Sequence, residues 1–242
     1  MEILVFDIWG DYAHFKRRYT TTSPLTHLIP PKTTIAGIIG AIAGVPRNQY
    51  LNAFQDSQVA LQILNPIKKT RIPINLIKTK SEALVSPPLV NYFTQHIIVS
   101  FEFLKDVKYR LYFYHPDKQL YQKIKTLLAE HKSVYTPTLG LSQLICNFSF
   151  CGEYKAIQKK PDSMVNIASV IPMKKSSSDT VLTKIEPEEG KKYAVETVPR
   201  LMNIDREVTE YIEILLEESG QKIKALPEIY WEVDNGVNVV PF

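Results

Sequence analysis

His14, Phe15, Lys16, Arg17, Arg18 and Tyr19 stand in a row, three consecutive cations flanked by aromatic rings. Ammonium and guanidinium groups hold phosphate oxygens, and the rings offer stacking faces to unpaired bases. A Ser/Thr-rich loop then runs through Pro30-Pro31 to Lys32 and Thr33, where a short helix of Ile, Ala and Gly begins. Proline fixes the start of such a helix, and Thr33 or Thr34 is expected to cap its first N–H groups. Free N–H donors and the partial positive charge of a helix N-terminus, beside Lys32, make an anion site. Gly37, Gly40 and Gly44 share one helix face. A face without side chains admits a neighbouring element or an RNA backbone, and close packing is the plainer use. A third cationic group, Lys68, Lys69, Arg71, Lys78 and Lys80, lies in the acid-free stretch Asn65–Lys80. These residue types at these spacings suit a phosphate backbone.

The same loop contains the parts for cutting RNA: a base for the 2′-hydroxyl, an acid for the leaving group and a cation for the developing charge. His14, with Tyr12 or Tyr19 and Lys16, supplies all three, yet a phosphate hydrogen bond is the simpler use of His14. His27 reads as a loop residue, His96 as a strand residue, and His115 and His131 as residues flanking a helix, so no catalytic residue is assigned. Phosphate-loop and dinucleotide fingerprints are missing. Cys146 and Cys151 sit in an apolar run without neighbouring metal-ligand types, and Glu186, Glu188 and Glu189 crowd a solvated turn. No metal and no cofactor are expected.

Charge is unevenly distributed. Residues 1–80 hold ten Lys/Arg against four Asp/Glu, and residues 81–242 hold 19 against 21. One electropositive face in the first half is the functional expectation; the rival is a basic excess scattered over a solvated surface. The first residues read as a strand, so no secretory leader is expected, and the apolar window Ile35–Val45 falls short of the roughly 20 residues that span a bilayer. A cytoplasmic protein with no membrane partner is expected.

Several elements must position these groups. Glu2–Trp9 reads as a strand apolar on both faces, central in a covered sheet. A helix is expected over Thr34–Gly44, a polar helical stretch over Asn48–Asp56 and a strand over Val59–Leu64. Residues 65–80 and Thr94–Leu104 pair as a protruding hairpin. Val107–His115 is a further strand, Pro116 and Asp117 open a helix to about His131, and Leu144–Phe150 is the next strand. This order suggests a ferredoxin-like sheet with helices on one face. After Tyr154, β-branched runs alternate with the solvated turns 174–179 and 186–192. Asp205–Glu218 and Lys222–Leu226 read as a hairpin. The expected class is α+β: a ferredoxin-like (RRM-like) βαββαβ domain over 1–154, a hairpin thumb at about 65–104, and a mostly-β region over 155–242.

The block FDIWGDYAHFKRRYTTTSPLTHLIPPKTTIAGIIGAIAG resembles the start of the CRISPR-associated "Cas five" family of the RAMP superfamily, in the form found in type I-B systems. The stretches Tyr135–Gly140, Phe150–Tyr154, Val198–Met202 and Asp205-Arg206 extend the resemblance over nearly the whole chain. The resemblance implies a noncatalytic subunit of the surveillance complex Cascade. It would grip the repeat-derived 5′ handle of the crRNA, cap the filament, and meet the backbone and large subunits as partners. A type I-C relative cleaves precursor crRNA with a Tyr, a Lys and an adjacent His. Here the one such neighbouring pair, His131-Lys132, is reversed, leaving a metal-independent endoribonuclease as the alternative. Phosphate contacts are expected from His14–Tyr19, Lys32 and the 68–80 arm, with the acidic later half facing protein.

Overall fold

The computed structural model describes residues 1–20, 22–77, 96–173 and 183–242. Lys78, Lys80, the stretch 81–91 and the turn 174–179 lie outside these residues.

In chain order the elements are β1 (Glu2–Ala13), α1 (Lys32–Ala43), α2 (Tyr50–Ala53), β2 (Gln58–Ile63), β3 (Lys68–Ile77), β4 (His96–Tyr114), α3 (Lys118–Ala129) and β5 (Asn147–Lys159). There follow β6 (Val165–Ile167), β7 (Ile171–Met173), β8 (Lys184–Ile185), β9 (Tyr193–Met202), β10 (Val208–Glu217), β11 (Ile223–Leu226), β12 (Tyr230–Val233) and β13 (Val237–Val239). The chain is α+β, and its sheets are antiparallel. The main sheet runs β13-β12-β5-β1-β4-β2, with β3 pairing the outer part of β4. Two three-stranded sheets, β7-β10-β9 and β6-β11-β8, complete it.

β1 is central because both of its faces are apolar. Leu4, Phe6 and Ile8 pack with Ile35, Ile39 and Ile42 of α1 and Ile124 and Leu128 of α3. Ile3 and Val5 face Tyr112, Ala156, Trp231 and Val233. Within α1, Gly37 and Gly40 each cost about 1 kcal/mol of helix propensity. Burial of Ile35, Ile38, Ile39 and Ile42, each at most 2% exposed, outweighs that at roughly 1.5–3 kcal/mol apiece. Gly44 ends the helix at φ 71°, where an added Cβ would also meet Val134 at 2.8 Å. Asp117 starts α3 by accepting from Gln119 N and Leu120 N at 2.8 and 3.2 Å.

Three expectations change. The strands expected at 94–104 and 107–115 are one 19-residue strand, β4, whose described part starts at His96 and which passes through Asp106 at a left-handed φ of 53°. β4 pairs β1 through this kink as far as Ala13↔Leu104 and pairs β3 from Lys68↔Lys105 to Ile77↔His96; from Phe103 outward β1 no longer accompanies it, so the hairpin projects from the sheet. β10 is a strand but pairs β9 and β7, while β11 pairs β6 and β8, because the apolar faces of β10 are completed by other strands. The boundary expected at 154/155 falls inside β5, and β12 pairs with the far end of that strand.

Trp231, fully buried, ties that late strand to β1. Trp231→Ala is expected to cost about 3–5 kcal/mol. Urea unfolding followed by far-UV circular dichroism should show one transition at lower midpoint, with residues 1–154 and the late strands melting together.

Candidate nucleic-acid interface

The loop after β1 folds back on itself. Arg17 N donates to Leu25 O at 2.9 Å, His27 N to Phe15 O at 2.8 Å, and Phe15 N to the Thr26 hydroxyl at 2.9 Å. Beneath it lies the carboxylate of Glu196 on β9, 7% exposed. Glu196 pairs with Arg17, accepts from Leu28 N at 2.7 Å, and has Oε1 3.1 Å from His27 Nδ1. Thus an acid of the later half holds the basic loop from inside, where the sequence suggested a protein-facing surface. A period-2 reading of β9 puts Glu196 with Val198 and Arg200 on one face, the signal available for it.

The six loop residues divide. His14 is 1% exposed: its Nδ1 lies 2.7 Å from Glu102 O, its ring packs against Phe101 and Phe103, and burial pushes its pKa below the usual value. Its main chain is locked by Leu139, whose carbonyl accepts His14 N at 3.0 Å, and by Gly140 (φ 105°), where any Cβ would sit 1.9 Å from His14 O. Phe15 is a core residue. Neither is placed to touch phosphate or stack on a base, since the packing that orders the loop uses them up. Arg17 is half-buried on Glu196. Lys16, Arg18 and Tyr19 are exposed, with Arg18 Nη1 3.3 Å from the Tyr211 hydroxyl.

Lys68, Lys69 and Arg71 are exposed on the hairpin, and β4 answers two of them: Lys68 lies 3.9 Å from Asp106 and Lys69 3.3 Å from Glu102. Glu102 also joins hairpin to loop. Its N–H donates to Pro24 O at 3.0 Å, and its side chain accepts from Thr26 N at 3.4 Å. Loop and hairpin base therefore form one continuous surface bearing Lys16, Arg18 and the three arm cations.

At α1 the expected cap is replaced. Pro31 occupies the N-cap, its carbonyl accepting from Thr34 N and Ile35 N, and no side chain caps the helix. Thr33 is half-buried. A Cβ added at Gly37 would lie 3.7 Å from the Tyr50 ring and one at Gly40 3.1 Å from Tyr50 Cβ, so the glycine face serves packing of α2 rather than an RNA backbone. Lys32 is 6% exposed and has no hydrogen bond or ion pair among the described residues. Burial, with Arg200 assisting against Glu210 and Asp56, lowers its pKa to about 8. It lines a cavity of about 320 Å³ with Arg200, whose Nη1 lies 2.5 Å from Glu210 and whose buried Nε lacks a partner. The sequence reading missed Arg200, although its stretch was singled out.

The model of the family described as CRISPR-associated protein (Cas_Cas5) matches residues 3–130, more than half of the chain. The chain belongs to that family. Two solved structures resemble it along nearly its whole length. One is a CRISPR protein from Archaeoglobus fulgidus, 14% identical with a TM-score of 0.58 over 99% of this chain and 98% of that one. The other belongs to a CRISPR RNA-guided surveillance complex, 13% identical with a TM-score of 0.52 over 92% and 91%. At such identities the likeness is one of fold. Comparison with curated protein sequences gives no match. Among the described residues no helix of this Cas5-family chain is long and apolar enough to cross a membrane.

Lys32 offers a check on the electrostatics. With a folded pKa near 8 against 10.5 unfolded, the unfolded chain binds more protons between those values, so stability rises as pH climbs through them. Holding Lys32 charged at neutral pH costs on the order of 3 kcal/mol. Lys32→Met is expected to be more stable than the wild type by up to about that amount at pH 7. In thermal melts the gap should close towards pH 10.5.

Proposed function

We propose that this chain is a Cascade subunit that grips the 5′ handle of the crRNA and caps the backbone filament, as in type I-B systems, without cutting RNA itself. The carrying observation is the continuous surface of loop and hairpin base joined at Glu102, with Lys16, Arg18, Lys68, Lys69 and Arg71 on it. Exposed cations along a projecting hairpin suit a single-stranded backbone, and Tyr19, 74% exposed, is a ready stacking partner for a base. The order β5-β1-β4-β2, with α1 and α3 as the connections, supports reading the core as ferredoxin-like (RRM-like). Family membership and the surveillance-complex neighbour support Cascade partners, namely the backbone and large subunits.

Four of the five histidines sit in environments that favour a binding role; the fifth, His96, is exposed at the outer end of β4. His14 and His27 are buried, His115 is engaged with Ala53 O and Asp117 N, and the His131 ring stacks on Phe148 at 4.8 Å while neighbouring Lys132 pairs with Glu130. A base for the 2′-hydroxyl needs a reachable ring nitrogen beside a cation.

Incubation of the purified chain with labelled repeat RNA in EDTA tests the reading. Binding should favour the 5′ handle and leave the RNA whole. The double substitution Lys16→Ala with Arg18→Ala should weaken binding and flatten its salt dependence by about 1.4, roughly 0.7 per lost contact to a single strand. A discrete cut at the repeat would make the chain a processing endoribonuclease. Equal binding of unrelated RNA would reduce it to a nonspecific polyanion binder.

A further inference from the structure

The cavity beside Lys32 is absent from the surface just described, and its lining is unusual for a packing defect. It lies where the N-terminus of α1 meets α2 and the β9–β10 turn. Leu51, Leu201 and Met202 give it apolar walls, Asn52, Gln55 and Asn203 bring amides, and Lys32 and Arg200 bring the cations. At about 320 Å³ it is at the small end of ligand sites, which run from roughly 300 to 1,000 Å³. A larger groove of about 980 Å³ shares Lys32, Gln55 and Arg200 and continues along β10, leaving room for a chain to enter and leave.

Two independent features mark it as a binding site. The first N–H groups of α1 have no intrahelical acceptor and carry the positive end of the helix dipole. Lys32, more than nine-tenths buried, reaches into the cavity without a partner among the described residues, beside the unpartnered Nε of Arg200. An unpaired buried cation such as Lys32 is expensive unless something arrives to meet it. Glu210 and Asp56 lie close enough to offset much of the positive charge. The site therefore suits a group with a single negative charge attached to a flat polar ring better than a polyphosphate.

We infer that this cavity takes one everted nucleotide of the bound RNA, its phosphate on Lys32 and the α1 N-terminus and its base against Leu51, Leu201 and Met202, read by the amides. Amide side chains read base edges, and unpaired bases are the part of RNA that carries sequence. The inference rests on the handle-binding reading and adds to it a position at which sequence is read.

The test uses handle RNAs that each lack one base, titrated against the wild type, Lys32→Met and Gln55→Ala, with thermal melts confirming that the variants fold. One abasic position should cost the wild type about tenfold in affinity. Lys32→Met should lose a similar factor, and in either variant the same abasic position should cost much less, because the two losses share one contact. Handle preference that survives both substitutions unchanged would overturn the pocket and leave the proposed function standing. So would abasic penalties that simply add to those of the variants. A wild type without handle preference would remove both.

Discussion

A carboxylate buried 179 residues away in sequence from the arginine it holds is the contact on which the interface depends. Burying Glu196 is unfavourable unless its charge and lone pairs are met, and Arg17 and the Leu28 N–H meet them. Once these are satisfied, Arg17 and Leu28 are both fixed against β9, and the loop must turn back over that strand. Burial and the Glu196 charge together push the Tyr109 hydroxyl pKa well up, keeping it a neutral donor to Leu28 O at 3.2 Å. With Arg17 turned inward, its neighbours Lys16 and Arg18 must point out. A structural ion pair thereby decides which cations are free for a ligand.

The same division holds on the hairpin. Counting charges over residues 1–80 gives a strong basic excess, but Lys68 and Lys69 are answered by Asp106 and Glu102 of β4. Lys16 and Arg71 carry no ion pair among the described residues. Their availability, rather than the total count, sets where a phosphate backbone gains most. The Lys68–Asp106 pair is exposed and such pairs contribute about 0–1 kcal/mol, so phosphate oxygens can displace Asp106 from Lys68 at small cost.

Local chemistry made much of this legible in the sequence. The double-sided apolar run of β1, the isoleucines of α1, the Asp117 cap and the alternation of Ile72, Ile74 and Leu76 all speak through nearest neighbours. What escaped depends on distant partners. The continuity of β4 turns on Asp106 adopting a left-handed conformation, which its residue type permits and does not require. β5 extends to Lys159 because β12, seventy residues later, completes it. His14 and Phe15 look like a phosphate site in sequence and are buried by Phe101, Phe103, Leu139 and Gly140, none of them neighbours in the chain. Arg200 lay inside a singled-out stretch, yet only the fold places it opposite Lys32.

Handle affinity of Glu196→Gln tests the central claim most directly. The amide keeps an oxygen for Leu28 N–H and removes the charge that holds Arg17. Coulomb attraction alone predicts tighter RNA binding, since a negative charge is gone and an arginine is released. If Glu196 orders the loop, affinity for the 5′ handle should instead fall severalfold. An affinity that rises or stays unchanged would contradict the account.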